Sequence, residues 1–280
     1  MTKLQQLDRP EILEKLFYPR KTTRSAPPEG ADNIDIAVAD DIIIGSRLFT
    51  ADKDAPVILF FHGNGETVPD YDDIGPVYTG LGLNFLITDY RGYGWSTGIP
   101  SASTMISDGR IIHRIITRWL TDNGYRGKLF VMGRSMGSAP AIDLAAQNYQ
   151  ELNGLIIESG FAETIPLART LGLDLESLGI DEQDCFNNAE KIERVTIPTF
   201  ILHGQQDSLI PLWQAQKLHA ACGAKSKEMQ IVPGADHNSV IAVAGMLYFQ
   251  AIKGYVDRIS GSSDWRKRRK NFKRTTDLPR

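Results

Sequence analysis

Six short apolar runs constrain this chain more than any other feature: VILFF (57–61), NFLITDY (84–90), KLFVMG (128–133), GLIIES (154–159), PTFILHG (198–204) and EMQIVPG (228–234). Each is rich in β-branched and aromatic residues and is bounded by Gly, Pro or Asp. Continuous rather than alternating apolar character reads as strands buried on both faces. Helix-like segments lie between them. The clearest covers 103–123, where Met105, Ile106, Ile112, Ile116, Trp119 and Leu120 make one stripe ahead of Gly124. Others are read over 136–149, 211–221 and 238–259. Alternating strands and helices predict an α/β fold, a mostly parallel central sheet of about eight strands flanked by helices. DIAVA and DIIIGSRLF meet at Asp40-Asp41 and predict an antiparallel hairpin at the front. The gap at about 161–196 contains Leu167, Leu171, Leu173, Leu175, Leu178 and Ile180. It reads as a small helical cap, with leucines that either line an acyl pocket or pack on the sheet. One domain is expected over 31–260, after a helical extension at 1–30 and before a basic tail at 261–280.

Ligands of such sheets sit outside the carboxyl ends of the strands. After the run at 128–133 comes Gly133-Arg134-Ser135-Met136-Gly137, then a helix-like segment rich in small residues. A serine on a tight strand-to-helix turn needs small neighbours two positions away on either side, and the turn raises its Oγ above the sheet. Pro140 is an oddity, since it is expected to remove an early helix hydrogen bond. A serine nucleophile needs a base, and the base an orienting acid. Of the five histidines, only His237 lies after a strand on a loop near the chain end. Asp207, in HGQQDSLIP, follows a strand between the serine and the histidine. Glu158 is a rival acid, and Asp236 a weaker one because it adjoins the histidine. Two backbone N–H donors are needed to bind an oxyanion. Met136, next to the serine, is one candidate, and Asn64 in His62-Gly63-Asn64-Gly65 is the other.

Hydrophobic residues make up 42% and charged residues 23% of the 280. Those values exclude wholesale disorder and coiled-coil or collagen-like chains. Cys185 and Cys222 have no CxxC spacing, so neither a disulfide framework nor a zinc site is expected. No Cys/His/Asp cluster has ligand spacing, so neither metal nor cofactor is expected. The charged first twenty residues contain no apolar signal core, and a cytoplasmic protein is the default. Eight of the 31 Lys and Arg but only two of the 34 Asp and Glu lie from Ser260 onward. A basic tail on an acidic body allows weak contact with an anionic membrane, which would make the protein peripheral to it. The alternative is a solvated tail, and nucleic acid is not expected as a partner of the acidic body.

Taken together, HGNG (62–65), DYRGYGWSTG (89–98), GRSMG (133–137), HGQQD (203–207) with IP following, and GADH (234–237) resemble the α/β-hydrolase superfamily. The order Ser135, Asp207, His237 is that of the fold. The resemblance covers about 34–259, and within the superfamily it is to the compact Bem46 and ABHD-type serine hydrolases. It implies hydrolysis of an acyl ester or thioester of a small-molecule or acyl-chain substrate, and a rigid turn at Asp89-Tyr90-Arg91-Gly92. Acyl transfer or peptide cleavage on the same residues, and a non-catalytic binding protein, remain the alternatives.

Overall fold

The computed structural model describes residues 3–261. The basic tail therefore lies outside the described residues. Eight strands form one sheet: β1 (Ala31–Ala39), β2 (Ile42–Phe49), β3 (Val57–Phe61), β4 (Asn84–Thr88), β5 (Leu129–Arg134), β6 (Leu152–Glu158), β7 (Thr199–Gly204) and β8 (Lys227–Val232). Their spatial order is β1-β2-β4-β3-β5-β6-β7-β8. The Asp40-Asp41 turn joins β1 to β2 as an antiparallel hairpin, β2 is antiparallel to β4, and every later pairing is parallel.

The apolar runs of β3 to β7 are continuous because each of these strands feeds two cores, whereas β8, expected from its run to be buried on both faces, lies at the sheet edge and buries only Val232. Val57, Leu59 and Phe61 of β3 enter one cluster, and Ile58 and Phe60 enter the other. In β5, Leu129 and Val131 go one way and Phe130 and Met132 the other. Side chains alternate along a strand, so a sheet covered on both faces needs apolar residues at every position. One face is covered by α1 (Pro10–Leu16), α3 (Ala102–Asp122), α4 (Ser138–Ala146), α5 (Thr164–Thr170), α6 (Asn188–Glu193) and α7 (Leu212–Ala221). The other carries α2 (Gly75–Gly80), α8 (Val240–Ala244) and α9 (Met246–Ser260). No helix among the described residues is long and apolar enough to cross a membrane.

The helices differ from the sequence reading in three places. The segment read as one helix over 136–149 opens as a 3-10 turn at Ser135–Gly137, and α4 begins only at Ser138. Pro140 is thus in the first turn, where N–H groups have no intrahelical acceptor, and the expected loss of a bond does not arise. The helix read over 238–259 is broken between α8 and α9 by Gly245, whose φ of 53° and ψ of −134° an L side chain would not adopt. Between β6 and β7, only α5, α6 and two short 3-10 turns form, at Glu176–Leu178 and Glu182–Asp184. Leu167, Leu173, Leu175 and Ile180 are buried in the same cluster as α3 and α4, so they pack on the body of the protein.

One buried carboxylate ties three of these helices. Asp143 on α4 accepts from Arg110 on α3 at 2.7 and 2.9 Å and pairs with Lys191 on α6 at 2.8 Å. Burial raises its pKa, but Arg110 and Lys191 outweigh that and hold the carboxyl below its ordinary range. A depressed value stabilises the fold above the ordinary carboxylate pKa, and the contribution is lost as pH falls through the depressed one. Asp143→Asn is expected to cost about 3 kcal/mol at neutral pH, with the difference from wild type shrinking below about pH 4. Urea unfolding at a series of pH values measures this, and a difference that does not change with pH would contradict it.

Candidate active site

The GRSMG turn is shaped by backbone crowding. A Cβ on Gly133 would lie 2.2 Å from the carbonyl oxygen of Gly137, and one on Gly137 would lie 2.1 Å from that of Phe61. Backbone cannot move aside as a flexible side chain can, so neither position accepts alanine without displacing the turn. Between them Ser135 takes a φ of 53°, a left-handed conformation that costs a non-glycine residue on the order of 1 kcal/mol or more. Ser138 Oγ–H donates to Ser135 O at 2.6 Å and fixes the first turn from within.

Three residues from three loops meet here. Ser135 Oγ lies 2.9 Å from His237 Nε2, and His237 Nδ1 lies 2.7 Å from Asp207 Oδ2. A carboxylate accepts only, so Nδ1 carries the proton and Nε2 is the acceptor facing the serine. Asp207 Oδ1 accepts from Leu209 N–H at 3.0 Å and from Ile210 N–H at 2.8 Å, which fixes the carboxylate plane. All three residues are buried. His203, on β7, donates through Nε2 to Ile210 O at 2.7 Å. Burial lowers its pKa, so it adds no positive charge beside Asp207 at neutral pH.

The rival acids are committed elsewhere. Glu158 Oε2 accepts from Tyr248 Oη at 2.6 Å, while Oε1 faces Arg134 Nε at 3.4 Å. Asp236 accepts from the N–H groups of Asn238 and Ser239 and so shapes the turn that carries His237. Asp89-Tyr90-Arg91-Gly92 is held by side-chain bonds to other parts of the chain. Arg91 grips Asp108 at 2.6 and 2.8 Å, and Tyr90 Oη donates to His62 O at 2.7 Å.

Asn64 follows the carboxyl end of β3, and both ends of its side-chain amide are hydrogen-bonded. Its Oδ1 accepts from Tyr93 Oη at 2.6 Å and Tyr18 N–H at 2.8 Å, and its Nδ2 donates to Leu16 O at 3.1 Å. The chain after α1 therefore runs as an arm across this loop. Arg20 donates to Gly65 O at 2.9 Å, Gly94 N–H donates to Arg20 O at 2.8 Å, and Lys21 Nζ reaches Ser96 O at 2.6 Å. Sequence reasoning missed this arm, because its partners lie 45 to 75 residues away and many of its bonds involve backbone groups that leave no motif. It also missed Arg134, the variable residue of the GxSxG turn, which is buried and bonded to Glu66, Glu158, His237 O and Asn238. Burial alone would lower its pKa, and Glu66 and Glu158 more than offset this, so the guanidinium stays charged.

A sheet in this order, with a strained serine after β5, an acid after β7 and a histidine after β8, defines an α/β-hydrolase fold. Residues 116–262 match the prolyl oligopeptidase family and residues 52–173 the serine aminopeptidase family S33. The chain is 28% identical over 235 residues to protein bem46 of Schizosaccharomyces pombe, covering 80% of this chain and 76% of that one. It is 31% identical over 212 residues to human alpha/beta hydrolase domain-containing protein 17B, covering 72% and 66%. The Pyrococcus furiosus esterase Pf2001 superposes with a TM-score of 0.70 at 19% identity, covering 86% of this chain and 99% of the other. The chain belongs to the α/β-hydrolases, and within them to the Bem46 and ABHD type. It is a hydrolase.

Proposed function

We propose that the chain is a serine hydrolase that cleaves a carboxylic ester or thioester through an acyl-enzyme. The observation that carries this reading is the unbroken hydrogen-bonded chain from Ser135 Oγ through His237 to Asp207. Ser135 attacks the acyl carbonyl while His237 Nε2 takes its proton. Asp207 keeps the proton on Nδ1 and stabilises the imidazolium. Met136 N–H and Asn64 N–H bind the oxyanion of the tetrahedral intermediate. Its collapse breaks the bond to the alcohol or thiol, which leaves with the proton from His237. Water then attacks the acyl-enzyme, giving its proton to His237, and the acid departs as Ser135 regains it.

The acyl ester class is favoured by the esterase likeness. A fluorophosphonate probe tests the reading. It should form an adduct on Ser135 of the wild type, located by peptide mass mapping, and none on Ser135→Ala. Panels of esters, thioesters and peptide amides of graded acyl length then sort the substrate class. A well-folded wild-type protein that takes no label would refute the proposal.

A further inference from the structure

The serine, the histidine loop and the oxyanion loop belong to separate strands, and one buried guanidinium touches all of them. Arg134 is the last residue of β5, next to Ser135. Its Nη2 donates to His237 O and to Asn238 Oδ1, both at 3.0 Å. Its Nη1 pairs with Glu66 Oε1. Glu66 in turn accepts, through Oε2, from Gly63 N–H at 2.7 Å and Tyr71 Oη at 2.8 Å. A second observation supports the same connection. A Cβ on Gly63 would lie 2.6 Å from Arg134 Nη1 and 3.1 Å from Glu66 Oε2. The first glycine of HGNG is thus the space that the ion pair fills. The fourth contact, Glu158, closes the network against Tyr248 of α9.

Building on the serine-hydrolase reading, we infer that Arg134 is a positioning residue, which sets the His237 ring and the Gly63-Asn64 donor loop at fixed distances from Ser135. It touches no reacting atom. It acts by holding the backbone carbonyl of His237 on one side and, through Glu66, the N–H of Gly63 on the other. A guanidinium is suited to this because its donors point in a fixed planar fork, whereas an ammonium is a single point charge. A misplacement of about 1 Å at such a site costs on the order of 100-fold in rate, whereas ground-state binding depends little on it.

Steady-state ester hydrolysis by Arg134→Ala and Arg134→Lys, beside the wild type, tests the assignment. Arg134→Ala should lower kcat on the order of 100-fold with KM within a few-fold, and label more slowly with the fluorophosphonate. A surface cavity of about 320 Å³, lined in part by Glu66, Arg134, Glu158 and Asn238, gives ethylguanidinium a route into the vacated space. Millimolar ethylguanidinium should therefore recover part of the lost kcat in Arg134→Ala and leave the wild type unchanged. Arg134→Lys keeps a charge for Glu66 but cannot serve all four partners. It should fold and still lose at least tenfold in kcat, which keeps the test open if the alanine variant is unstable. Wild-type kcat in a folded Arg134→Lys, or losses that appear in KM alone, would overturn the assignment while leaving the serine hydrolase intact. A wild type that neither labels nor turns over would overturn both.

Discussion

Ser135→Ala is expected to lower turnover of any acyl substrate by at least ~1000-fold while the protein stays folded. The hydroxyl is the only part of the side chain that the substitution removes. Alanine inherits the left-handed backbone at this position at a similar cost, since the strain belongs to the Cβ and not to Oγ. The lost bond to His237 Nε2, 2.9 Å in the wild type, leaves the ring held by Asp207 on its other side. Circular dichroism and thermal unfolding should therefore match the wild type, and kcat measured beside them should collapse. Turnover within tenfold of wild type would mean that the reacting atom lies elsewhere.

Asp207→Asn is expected to cost about 10⁴-fold in kcat with an intact fold, and the reason is tautomeric. Leu209 N–H and Ile210 N–H both donate to Asp207 Oδ1, so an asparagine must turn its carbonyl oxygen toward them. Its amide nitrogen then faces His237 Nδ1 and can only donate. The imidazole must accept there and carry its proton on Nε2, where it can no longer receive one from Ser135. A pH–rate profile of kcat separates this from simple loss of charge: raising the pH should not restore the wild-type rate. A loss smaller than tenfold would give the orienting role to another acid, although Glu158 is occupied by Tyr248 and Arg134.

The parts of this molecule that were legible in the sequence are those in which a local pattern reports a local constraint. The apolar runs of β3 to β7 had to be strands with two covered faces, and Asp40-Asp41 had to turn. The glycines around Ser135 announce a turn whose backbone has no room for side chains. Strand order then makes His237 and Asp207 neighbours although 30 residues separate them. What could not be read is held by partners distant in sequence. Arg134 meets Glu66 across 68 residues and His237 across 103, and an arginine at that position reads as an ordinary variable residue. The break at Gly245 was missed because the apolar spacing continues past it. The leucines between β6 and β7 left two readings open, an acyl pocket or packing on the sheet, and the buried ones pack on the body.

The arm after α1 has a consequence for how the chain comes off the ribosome. Lys21 is made 75 residues before Ser96, the residue whose carbonyl it holds. At ~5–20 residues per second, that is a delay of about 4–15 s during which the arm has been built and its mooring has not. Throughout that interval Lys21 lacks its carbonyl partner, and the loop bearing Asn64 emerges before Tyr93 and Gly94 exist to brace it and the arm. The hairpin of β1 and β2 can pair with itself in the meantime, but the arm must wait for the turn after β4 before it can dock. An early-made segment thus docks only once the turn at 93–96 has emerged, and the loop that carries Asn64 is braced no earlier than Tyr93 is made.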